Sequence, residues 1–191
     1  MRIKICGITT PRDARFAEVS GADAIGVVVF SPTSVRSVPP ERAQEIFDSV
    51  GPFITKVAVS HTTSAEDLER ILALRPDALQ ISYPFKFPEK PCPKVIRVIG
   101  RNDPVPQDSD AIIVDESHGS GKAFDLSHAR RVVMSAGLPV ILAGGLTAEN
   151  VADAIRQVRP YAVDVASGTE SAPGIKDHQK ITRFIAAARG A

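Results

Sequence analysis

The chain has 191 residues, 43% of them hydrophobic and 24% charged, with a formal net charge of +1. That is ordinary globular composition, and near-neutral charge removes the electrostatic case for nucleic-acid or polybasic membrane binding. No apolar run reaches the roughly 18 residues of a membrane span. Tryptophan is absent and aromatics make up 5%, which argues against a base-stacking platform. The two cysteines, Cys6 and Cys92, are too few for a disulfide framework or a four-cysteine zinc site. The opening MRIKIC lacks the apolar core of a signal peptide. The expected compartment is therefore the cytoplasm, where both thiols stay free.

Eight short β-branched runs follow in order: residues 2–6 (RIKIC), 24–29 (AIGVVV), 54–60 (ITKVAVS), 77–81 (DALQI), 94–99 (KVIRVI), 110–115 (DAIIVD), 138–142 (LPVIL) and 161–165 (YAVDV). Most are nearly continuous apolar stretches, the pattern of strands buried on both faces of a parallel sheet. Helix openings lie between most of them. Thr10-Pro11 places an N-cap before a first-turn proline, Pro39/Pro40-Glu41 opens a second helix, and Ser64 three residues before Asp67 resembles a capping box. Thr147-Ala148-Glu149-Asn150 opens another, and residues 177–188 form the last, with Ile181, Phe184 and Ile185 as its apolar stripe.

Alternating strands and helices imply parallel βαβ units, and eight strands close as an α/β (β/α)8 TIM barrel, read here as one domain over residues 1–191. An open doubly wound sheet is the competing architecture. The length is short for the barrel, which typically takes about 250 residues. The deficit falls after the fourth strand, where Pro84, Pro88, Pro91 and Pro93 cluster, and after the fifth, with Pro104 and Pro106. Helices 4 and 5 are thus expected to be reduced or missing. The wall left uncovered there is closed either by loops or by a second copy of the chain, so a homodimer is possible.

In such a barrel the active site lies at the C-terminal ends of the strands. Ala143-Gly144-Gly145-Leu146 after strand seven and Ala166-Ser167-Gly168-Thr169 after strand eight point to a phosphate held by backbone N–H groups. Cys6 ends strand one, as either a small buried core thiol or a rim thiolate acting as general base. Asp115 ends strand six, as either a general acid or a structural carboxylate, and Glu116 to Lys122 follow as a polar loop able to fold over a ligand. Arg36, in the loop after strand two, has the fork geometry to grip a carboxylate or phosphate. Cys92 receives no role. The four histidines show no metal-ligand spacing, so no metal is expected.

Several segments together resemble the phosphoribosylanthranilate isomerase family, enzymes of tryptophan biosynthesis. They are Lys4-Ile5-Cys6-Gly7-Ile8-Thr9, Gly21-Ala22-Asp23-Ala24-Ile25-Gly26, Ser34-Val35-Arg36, residues 119–125 (GSGKAFD), residues 143–151 (AGGLTAENV), and residues 163–170 (VDVASGTE) through Gly174-Ile175-Lys176-Asp177. The match runs in order from residue 2 to about residue 185. It implies a cofactor-independent intramolecular oxidoreductase of the aldose–ketose type, acting on a phosphorylated small molecule with no nucleic-acid or membrane partner. N-(5-phosphoribosyl)anthranilate would undergo an Amadori rearrangement to 1-(2-carboxyphenylamino)-1-deoxyribulose 5-phosphate. On that resemblance Cys6 is the general base, Asp115 the general acid and Arg36 the grip on the anthranilate carboxylate. Gly144, Gly145, Ser167 and Gly168 hold the phosphate, and Gly7, Gln80, Gly119, Gly121 and Asp164 surround the substrate. The sequence departs from the family at Gln80-Ile81-Ser82-Tyr83, where the family carries Gln-Leu-His-Gly, and at Val29 and Ser60. These changes point to a reshaped aromatic pocket, leaving isomerisation of a related phosphoribosyl amine and a non-catalytic phosphate-binding barrel as alternatives.

Overall fold

A computed structural model describes residues 1–86, 93–100, 103–106, 108–115 and 126–191. Eight parallel strands close into a barrel in sequence order: β1 (Arg2–Cys6), β2 (Ala24–Val28), β3 (Thr55–Ser60), β4 (Ala78–Ile81), β5 (Lys94–Ile99), β6 (Ala111–Asp115), β7 (Val140–Ala143) and β8 (Ala162–Val165). β1 pairs with both β2 and β8, which completes the ring and excludes the open sheet. The described residues hold six α-helices: α1 (Pro11–Val19), α2 (Pro40–Asp48), α3 (Ala65–Ala73), α4 (Leu126–Ser135), α5 (Val151–Val158) and α6 (His178–Arg189). The expected caps are in place, since Thr10 Oγ1 accepts from the Asp13 N–H and Ser64 Oγ from the Asp67 N–H. Two boundaries differ by more than one residue. β7 starts after Pro139, which has no N–H to give a ladder. α5 starts after Asn150, because residues 147–150 form a turn in which Asn150 Oδ1 accepts from the Thr147 N–H. α4 carries no capping signal that sequence reading detected.

Strand alternation divides the apolar residues into two cores. Val28, Val57, Val59, Ile96, Ile113 and Ile141 fill the barrel with Cys6 among them. Ile3, Ile5, Ile25, Leu79, Ile112 and Val163 face outward and pack, with Phe47 and Phe184, beneath the helices. No α-helix lies among the described residues between β4 and β6. Arg97 occupies part of that outer wall. It points outward from β5, is 4% exposed, and donates to the carbonyls of Tyr83 and Phe85 and to the Asp108 carboxylate (2.7 Å). Phe85 is buried in the outer core. Loops on either side of β5 are thus drawn over the strand by one guanidinium whose charge is met by a carboxylate.

After β8 a short turn (Ser167–Thr169) leads into an antiparallel hairpin, β9 (Glu170–Ala172) with β10 (Ile175–Lys176). Sequence reading did not anticipate this hairpin. Its tip reaches the first βα loop, where Thr9 Oγ1 donates to the Gly174 carbonyl (3.0 Å).

Candidate active site

Lys4 and Cys6 share the inward face of β1, and Cys6 is 7% exposed at its C-terminal end. In the register, Cys6 pairs with Gly26 of β2. A Cβ on Gly26 would lie 2.9 Å from Cys6 Sγ and 3.0 Å from Lys4 Nζ, so this glycine leaves the room in which thiol and ammonium meet. Lys4 Nζ donates to Asp164 Oδ1 on β8 (2.8 Å) and to Gln80 Oε1 on β4 (3.0 Å), and all three side chains are buried. Burial opposes the charge on Lys4, but Asp164 and Cys6 hold it protonated, above the ordinary lysine range. Burial pushes the Cys6 thiol up, Asp164 pushes the same way, and Lys4 pulls it back. Gln80 and Asp164 therefore sit in a polar layer under the mouth.

Asp115 ends β6, half-buried and in register with Ala143 of β7. Ala111 and Ile113 pack inside the barrel, so alternation turns Asp115 inward as well. Gly7 adopts φ +73°, and a Cβ there would come within 2.6 Å of Arg36 Cδ. Arg36 thus lies across the first loop, where its Nε and Nη2 donate to the two Glu170 oxygens, each at 2.7 Å. Burial works against the Glu170 charge, but the Arg36 hydrogen bonds and the nearby Lys176 hold its carboxyl below the usual range. Lys176 is itself buried, donating to the Ala166 carbonyl (2.8 Å), Thr169 Oγ1 (3.1 Å) and Glu170 Oε1 (3.3 Å).

The two glycine turns meet. Gly144 (φ +93°) and Gly145 (φ +62°) both use left-handed backbone. A Cβ on Gly168 would fall 2.0 Å from the Leu146 carbonyl oxygen, so any side chain there would force the loops apart. Beside them opens a cleft of about 220 Å³ lined by Thr147, Ser167, Gly168, Lys180 and Arg183, among others.

Of the residues picked from sequence, Cys6, Gly7, Arg36, Gln80 and Asp164 fall in one connected region, Asp115 faces it from β6, and Gly144, Gly145, Ser167 and Gly168 form the joined turns. Gly119, Gly121 and Cys92 lie outside the described residues, as does the loop expected over the site. Sequence reading assigned no role to Lys4, Glu170, Lys176, Lys180 or Arg183. A lysine inside an otherwise apolar strand, two positions before Cys6, was the available signal for the first. At the altered mouth, Ser60 is buried with its hydroxyl on the Phe30 carbonyl (3.4 Å), and Val29 packs outward. Ser82 and Tyr83 are exposed, and the Tyr83 ring lies edge-on to Phe85 of the outer core. Among the described residues no group of three or more His, Cys, Asp or Glu is placed to hold a metal ion. Among them, too, no helix is long and apolar enough to cross a membrane.

Fold and mouth define a class: a (β/α)8 barrel with ionisable groups at the strand ends and glycine turns joined after the last two strands. The model of the family described as N-(5'phosphoribosyl)anthranilate (PRA) isomerase matches residues 92–187. An N-(5'-phosphoribosyl)anthranilate isomerase of Methanoregula boonei is 64% identical over 191 residues, covering 100% of this chain and 98% of its own. A phosphoribosyl anthranilate isomerase solved with reduced 1-(o-carboxyphenylamino)-1-deoxyribulose 5-phosphate superimposes with a TM-score of 0.79 at 33% identity, covering 100% of both chains. Monomers generated from the dimeric isomerase of Thermotoga maritima give a TM-score of 0.81, also at 33% identity and 100% of both. The chain belongs to the N-(5'-phosphoribosyl)anthranilate isomerase family.

Proposed function

We propose that the chain isomerises N-(5'-phosphoribosyl)anthranilate to 1-(2-carboxyphenylamino)-1-deoxyribulose 5-phosphate, a step of tryptophan biosynthesis, and that Cys6 and Asp115 carry the proton transfers. The observation that supports the roles most is that a thiol and a carboxyl both face inward at the ends of β1 and β6. Asp115, as the acid, gives a proton to the ribose ring oxygen, and the C1–O bond opens to an iminium. The iminium acidifies C2–H. Cys6, as thiolate, takes that proton, and the electron pair forms an enolamine that tautomerises to the ketose. Backbone N–H groups of the turns at Gly144, Gly145, Ser167 and Gly168 hold the phosphate, remote from the reacting carbons, and so fix the sugar. Arg36 grips the anthranilate carboxylate, with Glu170 holding the guanidinium plane; among the described residues its Nη1 makes no hydrogen bond. Gly7, Gln80 and Asp164 shape the floor of the substrate site. The compartment is the reducing cytoplasm, where the free Cys6 thiol survives. Purified protein is expected to convert the substrate to the ketose by chromatography and to restore growth of a tryptophan auxotroph lacking this step. Failure of both refutes the reading.

We further propose that the chain pairs with a second copy, through the N-terminal end of the barrel rather than the wall beside β4 and β5. Phe53, 98% exposed in the loop before β3, borders a cavity of about 530 Å³ with Ala24, Val57, Ile96, Ile141 and Tyr161. In that pairing a twofold axis would seat each Phe53 in the other copy's cavity. Sedimentation at micromolar concentration is expected to give a dimer, and Phe53→Asp a monomer. A monomeric wild type overturns this.

A further inference from the structure

We propose that Lys4 is a positioning residue for the Cys6 base, its ammonium locked beneath the sulfur by Asp164 and Gln80 as the counter-cation of the thiolate. The inference rests on Cys6 being the base. A lysine inside a barrel is costly to bury, and an ion pair serving structure alone is replaceable by apolar side chains of similar volume. The rest of the barrel interior is filled by such side chains, Val28, Val57 and Ile96 among them. What singles Lys4 out is the gap at Gly26. The inward position beside Cys6 carries no side chain, and the space a Cβ would fill is 2.9 Å from Sγ and 3.0 Å from Nζ. Asp164 and Gln80 take two of the three ammonium donors and aim the group, leaving one for the sulfur side.

The charged groups that face Cys6 are Lys4 on its own strand, Asp164 on β8, Lys176 on β10 and Arg36 across Gly7. Burial and Asp164 favour the neutral thiol, whereas the cations favour the thiolate, and Lys4 is foremost among them. Removing Lys4 and removing Asp164 must then move the thiol in opposite directions, although both break the same ion pair.

The test is the pH dependence of Cys6 alkylation by iodoacetamide in the full chain, in a Cys92→Ala background that leaves a single thiol. Lys4→Gln is expected to move the titration upward by about one pH unit, slowing alkylation at pH 8 about tenfold. Asp164→Asn is expected to move it downward and speed alkylation at the same pH by a similar factor. A titration unchanged by Lys4→Gln, or displaced in the same direction by both variants, overturns the proposal. If Lys4→Gln does not fold, Asp164→Asn decides alone, and unchanged or slower alkylation is then fatal. The base assignment fails separately: full turnover in Cys6→Ala removes it without altering either displacement, whereas unchanged titrations beside an inactive Cys6→Ala remove only Lys4.

Discussion

Cys6→Ala is expected to lower turnover by about 10²–10⁴-fold, the ordinary contribution of a positioned general base, while the protein still binds the phosphorylated ketose product. Binding is expected to survive because the glycine turns proposed to hold the phosphate follow β7 and β8, away from Cys6, and the Arg36–Glu170 pair is anchored by the β9–β10 hairpin. The side chain removed is small and buried, so the fold loses only the packing of one sulfur at the top of the barrel. Steady-state kinetics together with calorimetric titration of product separate the two effects. Turnover within a few-fold of wild type, or loss of product affinity to match the loss of rate, would show that Cys6 packs the barrel and moves no proton.

Asp115→Asn is expected to cost a similar 10²–10⁴-fold, because the ring oxygen then leaves without a proton donor. The pH dependence of what remains carries more information than its size. The wild type needs both a thiolate and a proton donor. Asparagine removes the second requirement. Burial has pushed the Cys6 thiol above its usual range, so the thiolate is the minor form at neutral pH and grows tenfold with each pH unit until the thiol titrates. Residual kcat/KM in Asp115→Asn is therefore expected to climb on the alkaline side, about tenfold per unit. A flat residual profile from pH 7 to pH 9 would mean that the two groups do not act as a pair.

The barrel was legible because its strands are buried on both faces. Short, largely apolar runs, repeated eight times with helices between most of them, have few other ways to hide from water, and the strands fell within two residues of the expected bounds. Proline punctuation likewise announced that no α-helix lies among the described residues between β4 and β6, since a ring without an N–H cannot continue a helix. What covers that wall was not legible. Arg97 reads in sequence as a stray charge in an apolar strand, and only the closed barrel shows it outward, holding the carbonyls of Tyr83 and Phe85. Tyr83 was read as part of an altered substrate pocket, yet its ring rests on Phe85 of the outer layer.

By itself the sequence determined the ring of strands, the glycine turns and which of its few reactive side chains stand at strand ends, because periodicity and left-handed backbone are local properties. Only the tertiary structure decided who meets whom. Lys4 and Asp164 are 160 positions apart and Arg36 and Glu170 are 134 apart, and both pairs exist because closure lays β8 and the hairpin after it against β1. Alternation along a strand says which way a side chain points, but the stagger between strands sets its partner, and that stagger is a property of the closed ring.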